Sequence, residues 1–165
     1  MTENELYQFL DENQISYEKH EHPPVYTVEQ ADHHLMGTPG ARTKNLFICD
    51  AKKRHFYLLW TLGDKRVDLR KTGKLHGLGK LRFAPENTLP EYLGITAGAV
   101  SVLALINDPE SKVTLIADQD LWKSESYQCH PLVNTATLII THDGIEKFIN
   151  LSNHKVEVFD IPTLV

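Results

Sequence analysis

Arg42-Thr43-Lys44-Asn45-Leu46-Phe47-Ile48 is the stretch on which the fold turns, read together with Gly37-Thr38-Pro39-Gly40 just before it. Leu46, Phe47, Ile48 and Cys49 form a short apolar run, which reads as the start of a buried strand. Lys44 and Asn45 stand at its mouth. A lysine beside an amide and a glycine-rich turn suits a cation held at the rim of a pocket, and it equally suits a solvated lysine at a strand entry. The charged turn Ala51-Lys52-Lys53-Arg54 then separates a strand over 45–50 from a second over 55–61. The pair predicts a hairpin with a buried aromatic face beginning at Phe56 and Tyr57.

Working outward, residues 4–13 carry Leu6, Phe9 and Leu10 at helical spacing and predict an amphipathic helix. Residues 15–22 read as a strand ending at Pro23-Pro24, and Thr27-Val28-Glu29-Gln30 fits a capping box for a helix running to Leu35. Beyond the hairpin, 67–75 predicts a basic helix closed near Gly77, and 80–83 a short strand. Thr88-Leu89-Pro90-Glu91 fits another capping box, with Pro in the first turn where its missing N–H is harmless, and Gly94 ends that helix. The run 100–106 is apolar throughout, so periodicity leaves helix and strand both open. Strands are expected over 113–117 and 135–141, with an edge strand at 156–159. A helical turn is expected over 118–122, and Asp143 is expected to cap a last helix over 144–149. Helices and strands interleave without a strict βαβ rhythm. That pattern favours an α/β chain of the α+β type: one domain, 1–165, with a central mixed barrel-like sheet and peripheral helices.

A chain of 165 residues can bury one core without disulfides or a structural metal. No apolar run approaches the roughly 20 residues of a membrane span, and the acidic, polar start Met1-Thr2-Glu3-Asn4-Glu5 does not read as a signal peptide. Two cysteines, Cys49 and Cys129, give no spaced framework. A cytoplasmic protein with no membrane partner is the expectation. The net charge of −5 argues against broad nucleic-acid binding. Its distribution points the other way locally: Lys65, Arg66, Arg70, Lys71, Lys74, Lys80 and Arg82 face only Asp68 within 65–82. Arg70, Lys71 and Lys74 are candidate phosphate contacts on that stretch, and a solvated helix face is the other reading.

His20-x-His22 and His33-His34 do not complete a zinc set, so no metal is expected. Cys129 and His130 are adjacent and point to opposite faces of an extended chain, which excludes a thiolate–imidazole pair; Cys129 and Cys49 read as inert core residues. A triad using Ser101 and His130 stays open, although the Gly-x-Ser-x-Gly elbow is absent. No phosphate-cradling or dinucleotide fingerprint is present. Three features carry chemistry: the Lys44 cation, the loop Gly94-Ile95-Thr96-Ala97-Gly98, whose backbone can approach a ligand, and the His130-Pro131 imidazole.

The Lys44 stretch, the run Gly94-Ile95-Thr96-Ala97-Gly98-Ala99-Val100-Ser101 and the run His130-Pro131-Leu132-Val133-Asn134-Thr135-Ala136-Thr137 occur in that order. With Val67-Asp68-Leu69 and Leu105-Ile106-Asn107-Asp108 between them, they resemble the YbaK / prolyl-tRNA-synthetase-associated domain family, whose members deacylate mischarged tRNA. The resemblance is closest to the freestanding alanyl-tRNA(Pro) deacylases and runs from the first helix to about Asn150. It implies the same barrel-like mixed sheet, and an ester hydrolysis with no cofactor, no metal and no covalent intermediate, helped by the 2′-hydroxyl of the terminal adenosine. Lys44, Gly98 and His130 match the family's lysine, glycine-loop and histidine positions and are the expected catalytic residues. Asn45, Ala99, Ser101 and Asn134 are the expected substrate-binding residues, with amides near Gly98 and Ala99 on the aminoacyl carbonyl. The implied partners are the acceptor end of mischarged tRNA(Pro) and, transiently, prolyl-tRNA synthetase, with no role for DNA. A Cys-, Ser- or Thr-tRNA deacylase of the same family, or a non-catalytic module that binds the acceptor end, are the competing readings. One departure stands out: the family loop carries Pro where this chain has Ala97.

Overall fold

A computed structural model describes residues 1–165, apart from the side chain of Val28. In chain order the elements are α1 (Glu3–Glu12), β1 (Glu18–Glu21), α2 (Val28–Leu35), β2 (Thr43–Asp50), β3 (Phe56–Leu62), α3 (Leu69–Leu75), β4 (Leu81–Phe83) and α4 (Thr88–Leu93). A 3₁₀ helix (Val102–Asn107) follows, then β5 (Val113–Asp118), α5 (Gln119–Trp122), β6 (Ser126–Cys129), β7 (Ala136–Thr141), α6 (His142–Leu151) and β8 (Val156–Phe159).

The β2–β3 hairpin forms as the alternation requires, antiparallel, with Asn45 opposite Trp60 and Cys49 opposite Phe56. Phe47, Cys49, Phe56, Leu58 and Trp60 enter the larger core, together with Leu6 and Leu10 of α1 and Phe148 of α6. Ile48, Tyr57 and Leu59 point to the opposite face and form a second core with Leu81, Ile116 and Ile161. Helix α3 packs hard against the turn that follows it: a Cβ on Gly73 would lie 2.0 Å from the Gly79 carbonyl oxygen.

The sheet is mixed, as expected, but it is not one closed barrel. A five-stranded sheet runs β4-β2-β3-β5-β8 and a three-stranded one β1-β7-β6. Among the described residues they are joined through the isolated bridge Ala41–Tyr127. There Ala41 N donates to Ser126 O at 2.9 Å and Gln128 N to Ala41 O at 3.0 Å. The bridge, with Thr43 Oγ1 donating to Gln128 O at 2.7 Å, holds the sheets edge to edge where the chain enters β2. The parallel pairs β3/β5 and β5/β8 lie at the far side of the larger sheet.

Local corrections have local causes. The run 100–106 is a 3₁₀ helix, and Val102, Leu103, Ala104 and Leu105 are all fully buried, which is why no period marks it. The Thr88 capping box does not form; Asn87 is the N-cap without a side-chain bond, and the Thr88 hydroxyl donates to the Pro85 carbonyl instead. Thr141, not Asp143, caps α6, accepting from Gly144 N at 3.1 Å. Among the described residues, no helix is long and apolar enough to cross a membrane.

Candidate active site

A cleft of about 210 Å³ opens where the two sheets meet. Thr43, Lys44 and Asn45 line it from β2, Cys129 and His130 from the end of β6, and Gly98 from the loop after α4. Tyr26, Asp32 and Leu35 close it from the side of α2. Helix α2 begins where Thr27 accepts from Gln30 N at 3.1 Å, and the Gln30 side chain accepts from Tyr26 N at 2.8 Å, one residue earlier than an ordinary capping box.

Lys44 is half-buried. Burial holds its ammonium below the usual lysine range; Asp64 and Glu29 oppose that shift and Arg66 adds to it. Asn45 brings a buried Oδ1 that has no partner among the described residues, and the Nε1 of Trp60 is buried and unpartnered likewise. Asn45 and Trp60 are direct cross-strand neighbours. A buried acceptor left unmade costs about 1–3 kcal/mol, and so does the buried Trp60 donor on the paired strand.

His130 lies with Nδ1 at 3.1 Å from the Ala136 carbonyl oxygen. A carbonyl only accepts, so Nδ1 carries the proton and Nε2 keeps its lone pair. Burial pushes the imidazole pKa down; the Ala136 bond works against this and His22, its ring centroid 6.4 Å away, adds to it. His22 in turn has Nδ1 at 2.9 Å from Pro23 O and Nε2 at 2.9 Å from Thr137 Oγ1.

Ala99 N donates to Thr96 O at 3.2 Å, closing a four-residue turn with Gly98 at φ +91°. That positive φ at the third position is the type II signature, and Ala97 occupies the second position, where Pro is favoured. The Ala99 amide is thus engaged within the loop, which corrects its expected place on the aminoacyl carbonyl. Ser101 is fully buried and its Oγ accepts from Leu103 N at 3.1 Å, as a cap rather than a cleft group. Asn134 Nδ2 donates to Val25 O at 3.0 Å while Asn134 O accepts from Val25 N at 3.2 Å. Asn134 therefore acts as a strut behind Gly98: a Cβ there would lie 3.4 Å from its Nδ2. The fold brings Lys44, Asn45, Gly98 and His130 together at one cleft and sets Ala99, Ser101 and Asn134 behind them.

Burial pushes the Cys129 thiol above its usual pKa, which works against a reactive thiolate there. Among the described residues no three His, Cys, Asp or Glu side chains cluster as a metal would need. Arg70, Lys71 and Lys74 are exposed on α3, which contributes nothing to the cleft lining. Lys65 drops out of the basic stretch, since its ammonium lies 2.7 Å from Asp118 and 2.9 Å from Asp120. Burial works against that charge, yet the two carboxylates outweigh it and hold Lys65 above the usual lysine range. Sequence reasoning missed the Arg42–Asp32 ion pair beside the cleft. Arg42 sat in the first stretch read, but its partner is ten residues upstream across a turn.

Residues 22–148 match the family described as the aminoacyl-tRNA editing domain, a span that holds every cleft residue named above. The chain belongs to that family, one of hydrolases that deacylate aminoacyl-tRNA. It is 34% identical to the prolyl-tRNA editing protein ProX of Acetoanaerobium sticklandii, covering 92% of this chain and 93% of that one. The prolyl-tRNA synthetase associated domain-containing protein 1 of Danio rerio is 36% identical, over 91% of this chain and 82% of its own. A solved structure described as a candidate trans-editing enzyme for prolyl tRNA synthetase superposes with a TM-score of 0.73 at 21% identity, covering 99% of both chains. At that identity the likeness speaks for the fold alone.

Proposed function

We propose that this editing domain hydrolyses the ester of alanine mischarged onto tRNA(Pro), acting in trans on a product of prolyl-tRNA synthetase. The observation that carries the reading is the meeting of the Lys44 ammonium, Asn45, the Gly98 loop and His130 at one cleft of about 210 Å³. The cleft is below the roughly 300–1,000 Å³ typical of pockets that engulf a whole ligand, which suits a small aminoacyl group, and a wall shaped to a methyl group would exclude the pyrrolidine ring. The names borne by the bacterial and fish relatives support a prolyl-tRNA context.

An aminoacyl ester is already activated, so the chain has to hold it, stabilise the developing oxyanion and admit water. In this reading Lys44 faces the ester and the acceptor-end phosphate, and the Gly98 N–H meets the carbonyl oxygen. His130 Nε2, the nitrogen with the free lone pair, accepts from the attacking water or from the 2′-hydroxyl of the terminal sugar. Arg70, Lys71 and Lys74 contact phosphates of the single-stranded acceptor end, and contact with the synthetase is transient. The test is Lys44→Ala: single-turnover deacylation of Ala-tRNA(Pro) falls at least about tenfold, or about 1.4 kcal/mol of transition-state stabilisation. Lys44→Arg rescues only in part, because a planar fork does not replace a compact ammonium. A folded Lys44→Ala protein with the wild-type rate would overturn the assignment.

A further inference from the structure

Tyr26 is 72% exposed, an unusual position for a large aromatic that is also part of a cleft wall. It is not a loose side chain. Its own N–H donates to Gln30 Oε1 at 2.8 Å. The preceding residue, Val25, is buried and locked to Asn134 through both backbone groups. One edge of the ring rests on the glycine loop: a Cβ on Gly98 would meet Tyr26 Cδ1 at 3.2 Å and Cε1 at 3.4 Å. Gly98, with no side chain, leaves room for the ring to sit there, and the rest of the ring is open to solvent at the mouth.

We infer that Tyr26 is the platform on which the base of the substrate's terminal adenosine stacks. The inference rests on the deacylase reading given above. With the aminoacyl group and its ester held in the cleft, the sugar and base of the terminal adenosine lie further out, toward its mouth. The exposed aromatic on the cleft wall at that exit is Tyr26, placed beside the same Gly98 that is proposed to meet the ester carbonyl. Stacking on an aromatic ring is the sequence-tolerant way to hold an unpaired base, and it is typically worth enough to change affinity about 5- to 150-fold. Such contact is made equally in the ground and transition states, so it acts on KM and leaves kcat unchanged.

The test uses the full chain and two alanylated tRNA(Pro) substrates, one ending in the ordinary adenosine and one whose terminal nucleotide keeps its sugar but lacks the base. The wild type is expected to deacylate the first about 5- to 150-fold better in kcat/KM, the difference lying in KM. Tyr26→Ala should lose that advantage on the ordinary substrate and lose nothing further on the base-less one. Tyr26→Phe, which keeps the ring, should match the wild type on both. Equal wild-type activity on the two substrates would overturn the stacking inference while leaving the deacylase reading standing. A Tyr26→Ala defect of the same size on both substrates would overturn it too, making Tyr26 a wall and nothing more. A wild type inactive on the ordinary substrate would overturn the deacylase reading, and the stacking inference with it.

Discussion

His130 enters the cleft with one nitrogen already committed: Nδ1 donates to the Ala136 carbonyl, and burial holds the ring below the ordinary histidine pKa. The unfolded chain, with a histidine pKa of about 6.5, therefore binds a proton at a higher pH than the folded one does. Between the folded pKa and about 6.5 the unfolded state is the better proton binder, so stability contributed by neutral His130 is lost as pH falls below about 6.5. Urea denaturation at a series of pH values from neutral to mildly acidic, for the wild type and His130→Gln, should show the wild type losing stability relative to the variant as pH falls. Parallel profiles would mean that His130 is as readily protonated folded as unfolded. Comparison with the variant matters because the sequence has nine histidines, and the other eight are common to both proteins. Lys44 belongs to the same argument, since burial also works against its charge, and Asp64 and Glu29 help to keep it.

At the level of the element, the Thr96–Ala99 turn brings Gly98 to the cleft, and it does so with Ala97 in the position that favours Pro. Ala97→Pro should raise stability by about 0.4–1 kcal/mol by restricting the unfolded chain. Deacylation should be unaffected. Destabilisation in a denaturant titration would show that residue 97 does not have the backbone of a type II turn. Elements whose stability is local were legible in the sequence: the β2–β3 hairpin follows from alternation and a charged turn, and α1 from its Leu6, Phe9 and Leu10 spacing. Strand β6 was not, because Ser126-Tyr127-Gln128-Cys129 has mixed polarity and is made a strand by pairing with β7. Helix caps were half legible. Asp143 and Thr141 compete two residues apart, and only the exit of β7 decides between them.

Across the whole molecule, the four residues that meet at the cleft come from β2, a loop and the end of β6, and it was the resemblance of their stretches, in that order, to the family's that grouped them in the sequence. What sequence could not separate is a ligand from a strut: Asn134 and Ser101 have side chains that suit either, and the fold uses them to hold Val25 and the 3₁₀ helix. Lys65 was indistinguishable from its basic neighbours for the same reason, since Asp118 reaches it only through the sheet. The remaining surface cations give a prediction for this acidic chain. If Arg70, Lys71 and Lys74 each contact a phosphate of the single-stranded end, the log–log salt dependence of tRNA binding has a slope of about −2. Replacing all three with Ala should weaken binding and flatten that slope; an unchanged slope would return α3 to the role of a solvated surface. The central claim, that a small cleft clears alanine and spares proline, is tested most directly by single-turnover deacylation of Ala-tRNA(Pro) and Pro-tRNA(Pro) by the same preparation. The account predicts rapid loss of alanine and a proline ester as stable as in buffer alone, whereas equal hydrolysis of both, or of neither, would contradict it.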